Sequence, residues 1–341
     1  DRVVGRHRIF ALALAGISFG CGGDGGDADT NLATETSGET SGSQTATAAS
    51  DDDGTTTGAS MTASVDGDGS SGDDHHGESS ADTTGGSTPS RGCHMPAPPS
   101  GDLVIDVYGV QGQYRVSLPA DYDPATPYPL GFAFHGANRK GPQCQQGDCA
   151  GFQTAMQDHA VLVYMTSVGG PGWTNEIDLN VSFFEAVLDE VLAHTCIDES
   201  LVFAAGTSSG AHFVNILGCR LADRLAAIAP VAGVLFGTDC GSRVAALVIH
   251  GVDDSSFEAG TQARDFWREH NGCDDLTLPP IADVHASVVA PPESHGCAEY
   301  QGCDATAPVV WCEHSEGGYD GSTHGWPQFG GSRIWSFVSE L

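Results

Sequence analysis

Leu201-Val202-Phe203-Ala204-Ala205-Gly206-Thr207-Ser208-Ser209-Gly210-Ala211-His212 decides the fold. Its first five residues are an apolar run without polar alternation, which suits a strand covered on both faces. From Ser209 to Leu221 apolar residues recur at three- and four-residue spacing, which suits a helix. Between them stands Gly-x-Ser-x-Gly, whose glycines permit a reversal too tight for a side chain at those points. A strand-to-helix turn of this kind lifts the Ser208 hydroxyl above the sheet, at the positive end of the following helix.

Outward from this turn the chain alternates short β-rich runs with helical stretches, the pattern of an open, mostly parallel sheet. Strands are expected at Leu103 to Tyr108, Tyr114 to Leu118, Leu130 to Phe134, Ala160 to Met165, Leu201 to Ala205, Ala226 to Pro230, Val244 to Ile249, Val284 to Val289 and Val309 to Cys312. Helices are expected at Val181 to His194, Ser209 to Leu221, Gly260 to His270 and Gly331 to Leu341.

A serine hydroxyl is a weak nucleophile near neutral pH and needs a base, which in turn needs a partner to fix its tautomer. The strand Val244-Ala245-Ala246-Leu247-Val248-Ile249 ends in His250-Gly251-Val252-Asp253-Asp254, which puts carboxylates at a strand's carboxyl end, where ligands gather in open α/β sheets. Asp254 is preferred to Asp253, because alternation beyond the strand turns only one of them towards an imidazole. Gly321-Ser322-Thr323-His324-Gly325-Trp326-Pro327 then offers His324 in a loop before the final helix. The other histidines have plainer readings: His270, His295 and His314 as surface or loop residues, His250 as packing or loop-orienting, and His212 as buried behind the turn. The chain order Ser, Asp, His is that of the α/β-hydrolase fold, so the expected class is α/β, a mostly parallel central sheet with helices on both faces. Acyl transfer also needs donors for the oxyanion. The backbone N–H groups of Ser209, next after Ser208, and of Ala137, in Phe134-His135-Gly136-Ala137, are expected to supply them. Trp173 and Trp326 fall in loops expected near this face, where an indole could stack on a sugar or a phenolic ring.

Phe134-His135-Gly136, Pro171-Gly172-Trp173, Val202-Phe203 through Gly210, His250-Gly251 with Asp254, and His324-Gly325-Trp326-Pro327 together resemble the feruloyl esterase and polyhydroxybutyrate depolymerase-like group of carbohydrate esterase family 1. The resemblance spans residues 93 to 341. It implies an exported enzyme that hydrolyses feruloyl or acetyl esters on plant polysaccharide, or short polyhydroxyalkanoate esters, with no metal or organic cofactor. Two features depart from the group's usual pattern: Ser209-Gly210-Ala211 after the nucleophile, and Asn180 where an Asp is common.

Composition sets the partners and the compartment. Among 341 residues, 13 Lys and Arg face 45 Asp and Glu, a formal net charge of -32. Nucleic acid and anionic lipid are therefore excluded on electrostatic grounds. Arg2, Arg6 and Arg8 precede the short apolar run Ile9 to Ile17, an export signal too brief to span a bilayer. Gly20-Cys21-Gly22-Gly23 resembles the lipid-attachment box of bacterial lipoproteins, so residues 1–21 are expected to end in a lipidated Cys21, the only membrane contact expected. Residues 22–92 are almost wholly Gly, Ser, Thr, Ala and Asp, with no aromatic residue, a composition for a disordered tether that also holds Asp73-Asp74-His75-His76. Residues 93–341 are the expected hydrolase domain, a monomer. Its ten cysteines, without a C-x-x-C pair, favour disulfides over zinc in an exported chain.

Overall fold

The computed structural model describes residues 87–149, 151–278, 295–315 and 323–341. The export segment with Cys21, the tether and the expected strand Val284 to Val289 lie outside these residues.

The strands are β1 (Gly101–Val107), β2 (Val110–Ser117), β3 (Tyr128–Phe134), β4 (Val161–Met165), β5 (Ile197–Thr207), β6 (Ala227–Val231), β7 (Ala245–Gly251), β8 (His295–Glu299) and β9 (Val309–His314). They form one sheet in the order β1-β2-β4-β3-β5-β6-β7-β9-β8. From β4 through β9 neighbouring strands pair parallel, while β1, β2 and β8 add antiparallel edges. The helices are the single turn α1 (Gly141–Gln143), then α2 (Phe152–Met156), α3 (Ile177–His194), α4 (Ser209–Arg220), α5 (Phe257–His270) and α6 (Gly330–Ser339). Among the described residues no helix is long and apolar enough to cross a membrane.

The continuous apolar strands follow from cover on both faces. Along β3 and β4, Phe132, Phe134, Val163 and Met165 point into one core with Phe184 of α3 and Phe213 of α4. Ala133, Leu162 and Tyr164 point into the other, with Phe152 of α2 and Ile334 and Phe337 of α6. A one-residue slip of either strand would exchange these two sets, so the register is strongly specified.

Among the described residues the chain joins this sheet ahead of the expected start at Cys93. Pro89 bridges Asp198, and the Glu199 N–H donates to the Thr88 carbonyl at 2.8 Å. All ten cysteines after Cys21 are paired: Cys93–Cys196, Cys144–Cys149, Cys219–Cys240, Cys273–Cys303 and Cys297–Cys312. Cys93–Cys196 ties the incoming chain to the start of β5. The short helices and one edge strand were not legible in sequence. Phe152–Met156 is too short to show a helical period, and β8, His295-Gly296-Cys297-Ala298-Glu299, lacks the branched apolar residues of a typical strand.

Candidate active site

The parallel strands place their carboxyl ends on one edge of the sheet, and the loops leaving that edge converge. Ser208 follows β5 and stands at φ 52°, ψ -118°, a strained conformation for a residue with a Cβ. The flanking glycines explain how the chain holds it. A Cβ on Gly206 would lie 2.7 Å from the Gly210 carbonyl carbon, and one on Gly210 would lie 2.2 Å from the Phe134 carbonyl oxygen. No larger residue fits either place.

His324 Nε2 lies 2.9 Å from Ser208 Oγ, and its Nδ1 lies 2.7 Å from Asp254 Oδ2. With Asp254 ionised, Nδ1 carries the proton and donates it, which leaves Nε2 as the acceptor for the Ser208 hydroxyl. Asp254 is buried and Asp253 exposed, so of the two neighbouring acids it is Asp254 that meets the imidazole.

Asp254 is held by more than His324. Its Oδ1 accepts from the Ser256 N–H at 2.8 Å and the Ser256 hydroxyl at 2.9 Å. Its Oδ2 also faces His250 Nε2 at 3.1 Å. Four donors thus meet the four lone-pair directions of one carboxylate. Burial pushes the Asp254 carboxyl up, but the hydrogen bonds from Ser256 and His324 outweigh it and hold the group below the usual carboxylate range. His250 is fully buried, with its Nδ1 against the backbone of α5, where a Cβ on Gly260 would come within 2.2 Å. Burial, opposed by Asp254, lowers the His250 pKa, which keeps the ring neutral with its proton on Nε2 towards the carboxylate.

The loops after β3 and β4 are stitched together beside Ser208. His135 is buried; its Nδ1–H donates to the Gly136 carbonyl at 2.6 Å, and its Nε2 accepts from the Ser167 N–H at 3.2 Å. Burial pushes its pKa down to about 4, so the ring stays neutral. The Asn138 N–H donates to the Pro171 carbonyl at 2.8 Å. Ala137 sits on the exposed part of this loop, and Gly136 passes close to Ser208, since a Cβ there would lie 3.8 Å from the Ser208 Cβ. Ser209 is the first residue of α4, so its N–H has no acceptor within the helix. Its hydroxyl accepts from the Trp173 N–H at 3.0 Å.

Asn180 shows why an amide replaces the more usual acid. It is buried, its Oδ1 accepts from the Val168 N–H at 3.0 Å, and its Nδ2 donates to the Val168, Trp173 and Glu176 carbonyls. A carboxylate could not donate those bonds. Asn180, Ser256 and the Asp254 contact of His250 were not anticipated from sequence, because each acts through a side chain whose partner is fixed only by the fold.

The two tryptophans correct an expectation. Trp173 has no exposed surface: it stacks on Phe213 at 5.0 Å, meets Phe134 edge-on and donates its Nε1–H to the His135 carbonyl at 2.9 Å. Trp326 is 1% exposed and packs edge-on against Phe152. Neither indole offers a face to a ligand, because each gains more by filling the core beneath the loops than by standing in solvent. Among the described residues an exposed aromatic near Ser208 is instead Phe236, 5.0 Å from the His212 ring on α4. Burial first, then the nearby His324 and His250, pushes His212 down to about 4. Among the described residues no three His, Cys, Asp or Glu side chains come together to hold a metal ion.

A mostly parallel nine-stranded sheet, a strained serine between strand and helix, and a serine–imidazole–carboxylate chain at its carboxyl edge define a serine hydrolase of the α/β-hydrolase class. The fold is also that of an acetyl xylan esterase from Aspergillus awamori, with a TM-score of 0.53 at 15% identity over 67% of this chain and 94% of that one. No known family model matches the chain. Feruloyl esterase D of Neurospora crassa is 30% identical over 244 residues, covering 66% of this chain and 81% of that protein. A probable feruloyl esterase C of Aspergillus niger is 29% identical over 235 residues, covering 65% and 82%. The chain belongs to the feruloyl esterase family.

Proposed function

We propose that this protein hydrolyses feruloyl or acetyl esters of plant polysaccharide through an acyl-enzyme on Ser208. The observation that carries the reading is the unbroken path from Ser208 Oγ through the His324 ring to Asp254 Oδ2, at 2.9 and 2.7 Å. The feruloyl esterase relatives supply the acyl group.

In this reading Ser208 Oγ attacks the ester carbonyl carbon as His324 Nε2 takes the hydroxyl proton, and Asp254 stabilises the resulting imidazolium. The carbonyl oxygen, now an anion, is held by the N–H groups of Ser209 and Ala137. Collapse of the tetrahedral species breaks the bond to the sugar oxygen, which leaves with the proton from His324. Water then enters, gives a proton to Nε2 and attacks the acyl carbon. The acid is released and the Ser208 hydroxyl restored. Phe236, rather than Trp173 or Trp326, offers an aromatic surface to a phenolic acyl group.

The same reading makes the chain an exported monomer: residues 1–21 are a signal ending in a lipidated Cys21, and the acidic stretch from residue 22 up to Thr88 and Pro89, where the chain joins the sheet, links that anchor to the hydrolase domain. Palmitate labelling that survives in a Cys21→Ala variant would remove the anchor.

Ser208→Ala is expected to abolish release of ferulate from methyl ferulate and of p-nitrophenol from p-nitrophenyl acetate, with the circular dichroism spectrum unchanged. Undiminished turnover would overturn the assignment of the nucleophile. Comparing release of ferulate, acetate and 3-hydroxybutyrate from natural polymers tests the substrate class, and dominant 3-hydroxybutyrate release would move it to polyesters.

A further inference from the structure

The β1–β2 hairpin carries an aromatic residue that the fold does not use. Val107 pairs with Val110, so Tyr108 and Gly109 are the two loop residues, and both have positive φ, 53° and 83°. Such loops favour Asn or Asp before Gly, because a larger side chain at positive φ crowds its own backbone. Gly109 meets that demand and Tyr108 does not. Nor does Tyr108 gain by packing, being 85% exposed. A bulky ring in a strained position with no core to fill points to binding rather than folding.

The register of the sheet says what it stands beside. β2 runs antiparallel to β4 with Tyr114 opposite Met165, the last residue of β4. Val110 to Gln113 therefore extend past the carboxyl edge from which Ser208 rises, and the Thr166 N–H donates to the Gln113 carbonyl at 2.9 Å. Between this hairpin and the loops after β3 and β4 lies a cleft of about 360 Å³ whose polar lining is Gln111, Gln113, Lys140, Thr166 and Ser167. Those loops are the ones that build the ester site, since Ser167 holds His135 and Lys140 follows Ala137 in the same connection.

Amides, hydroxyls and one ammonium are the groups that hydrogen-bond sugar hydroxyls, and a phenol ring stacks on the C–H face of a sugar. A net charge of -32 disfavours uronate-rich chains, which leaves neutral sugars. We propose that this cleft, together with Tyr108 at the tip of the hairpin that forms one of its walls, is a subsite for a neutral sugar segment of the ester-bearing polysaccharide, separate from the site that cleaves the ester. Its purpose rests on the polysaccharide reading above, but its existence can be tested alone.

Tyr108→Asn puts the residue preferred by this turn in place, so the melting temperature is expected to stay level or rise. The KM for feruloylated arabinoxylan is expected to rise about fivefold, the worth of one aromatic stacking contact, while kcat/KM for methyl ferulate stays at the wild-type value. Gln113→Ala should act in the same direction. In affinity electrophoresis through unesterified neutral arabinoxylan, the full chain should be retarded and Tyr108→Asn less so. If the wild type cleaves small esters yet is not retarded, or if Tyr108→Asn changes neither retardation nor the polymer KM, the subsite is refuted and the esterase reading stands. If the wild type is retarded through Tyr108 but releases no acid from polymer, the subsite stands and the substrate reading fails.

Discussion

The turn after β5 and the turn after β7 both deliver a functional group to the same edge of the sheet, yet they are held by different means. At Ser208 the backbone does the work: Gly206, Gly210 and Phe134 are packed so closely that no Cβ fits between them, and the strained φ of 52° at Ser208 is over-determined by its surroundings. At Asp254 the backbone is ordinary and the side chains do the work, with Ser256, His250 and His324 converging on one carboxylate. The first arrangement fixes position by exclusion of volume. The second fixes position and charge together by hydrogen bonds. A substitution at the first turn should therefore be read in stability as well as rate, whereas one at the second should be read in rate and pH dependence with the fold intact.

The largest effect that would break this comparison is Asp254→Asn. The amide cannot stabilise the imidazolium and favours the wrong tautomer of His324, so kcat on p-nitrophenyl acetate should fall on the order of 10⁴-fold, with the melting temperature nearly unchanged. Asp253→Asn, on the exposed neighbour, should keep wild-type kcat; a comparable loss there would exchange the two acids. Next in size is Gly210→Ala. Its Cβ would lie 2.2 Å from the Phe134 carbonyl oxygen, so β3 and α4 must part. A loss of about 3 kcal/mol in urea unfolding is expected, together with a fall in activity. A variant as stable as the wild type would show that the turn tolerates volume and that its two glycines serve something else.

The same contrast explains what could be read from the sequence. Volume exclusion leaves fixed residue types at fixed spacing, so Gly206, Ser208 and Gly210 announce the turn, and the apolar runs of β3 to β7 and β9 announce a sheet covered on both faces. His324 and Asp254 were legible by order and by their place after strands. Ser256 was not, since nothing in Ser255-Ser256 says which hydroxyl turns back to position 254. Asn180 was visible only as a departure; its three carbonyl partners come from a loop whose path the sequence does not encode locally. Trp173 and Trp326 misled for a related reason. A loop position suggests exposure, but a large ring next to a core opening is drawn inward, and that opening exists only once β3, α2 and α6 have packed.

Ser256→Ala gives the smallest and most discriminating effect. It removes the hydroxyl bond to Asp254 Oδ1 at 2.9 Å but keeps the backbone one at 2.8 Å. The fold should hold and kcat should fall about tenfold, the worth of one charge-assisted hydrogen bond. The direction of the pH change follows from Asp254. In the native protein its pKa lies below the usual carboxylate range, so the ionised form that partners His324 persists into acid and is lost only as pH falls through that depressed value. Losing one donor raises the folded pKa, so protonation of Asp254 sets in at higher pH, and the titration of its carboxyl carbon followed by NMR should move upward. An unmoved Asp254 titration with a tenfold lower kcat would mean that the hydroxyl only positions the carboxylate, and the two turns would then differ in the groups they use but not in what those groups achieve.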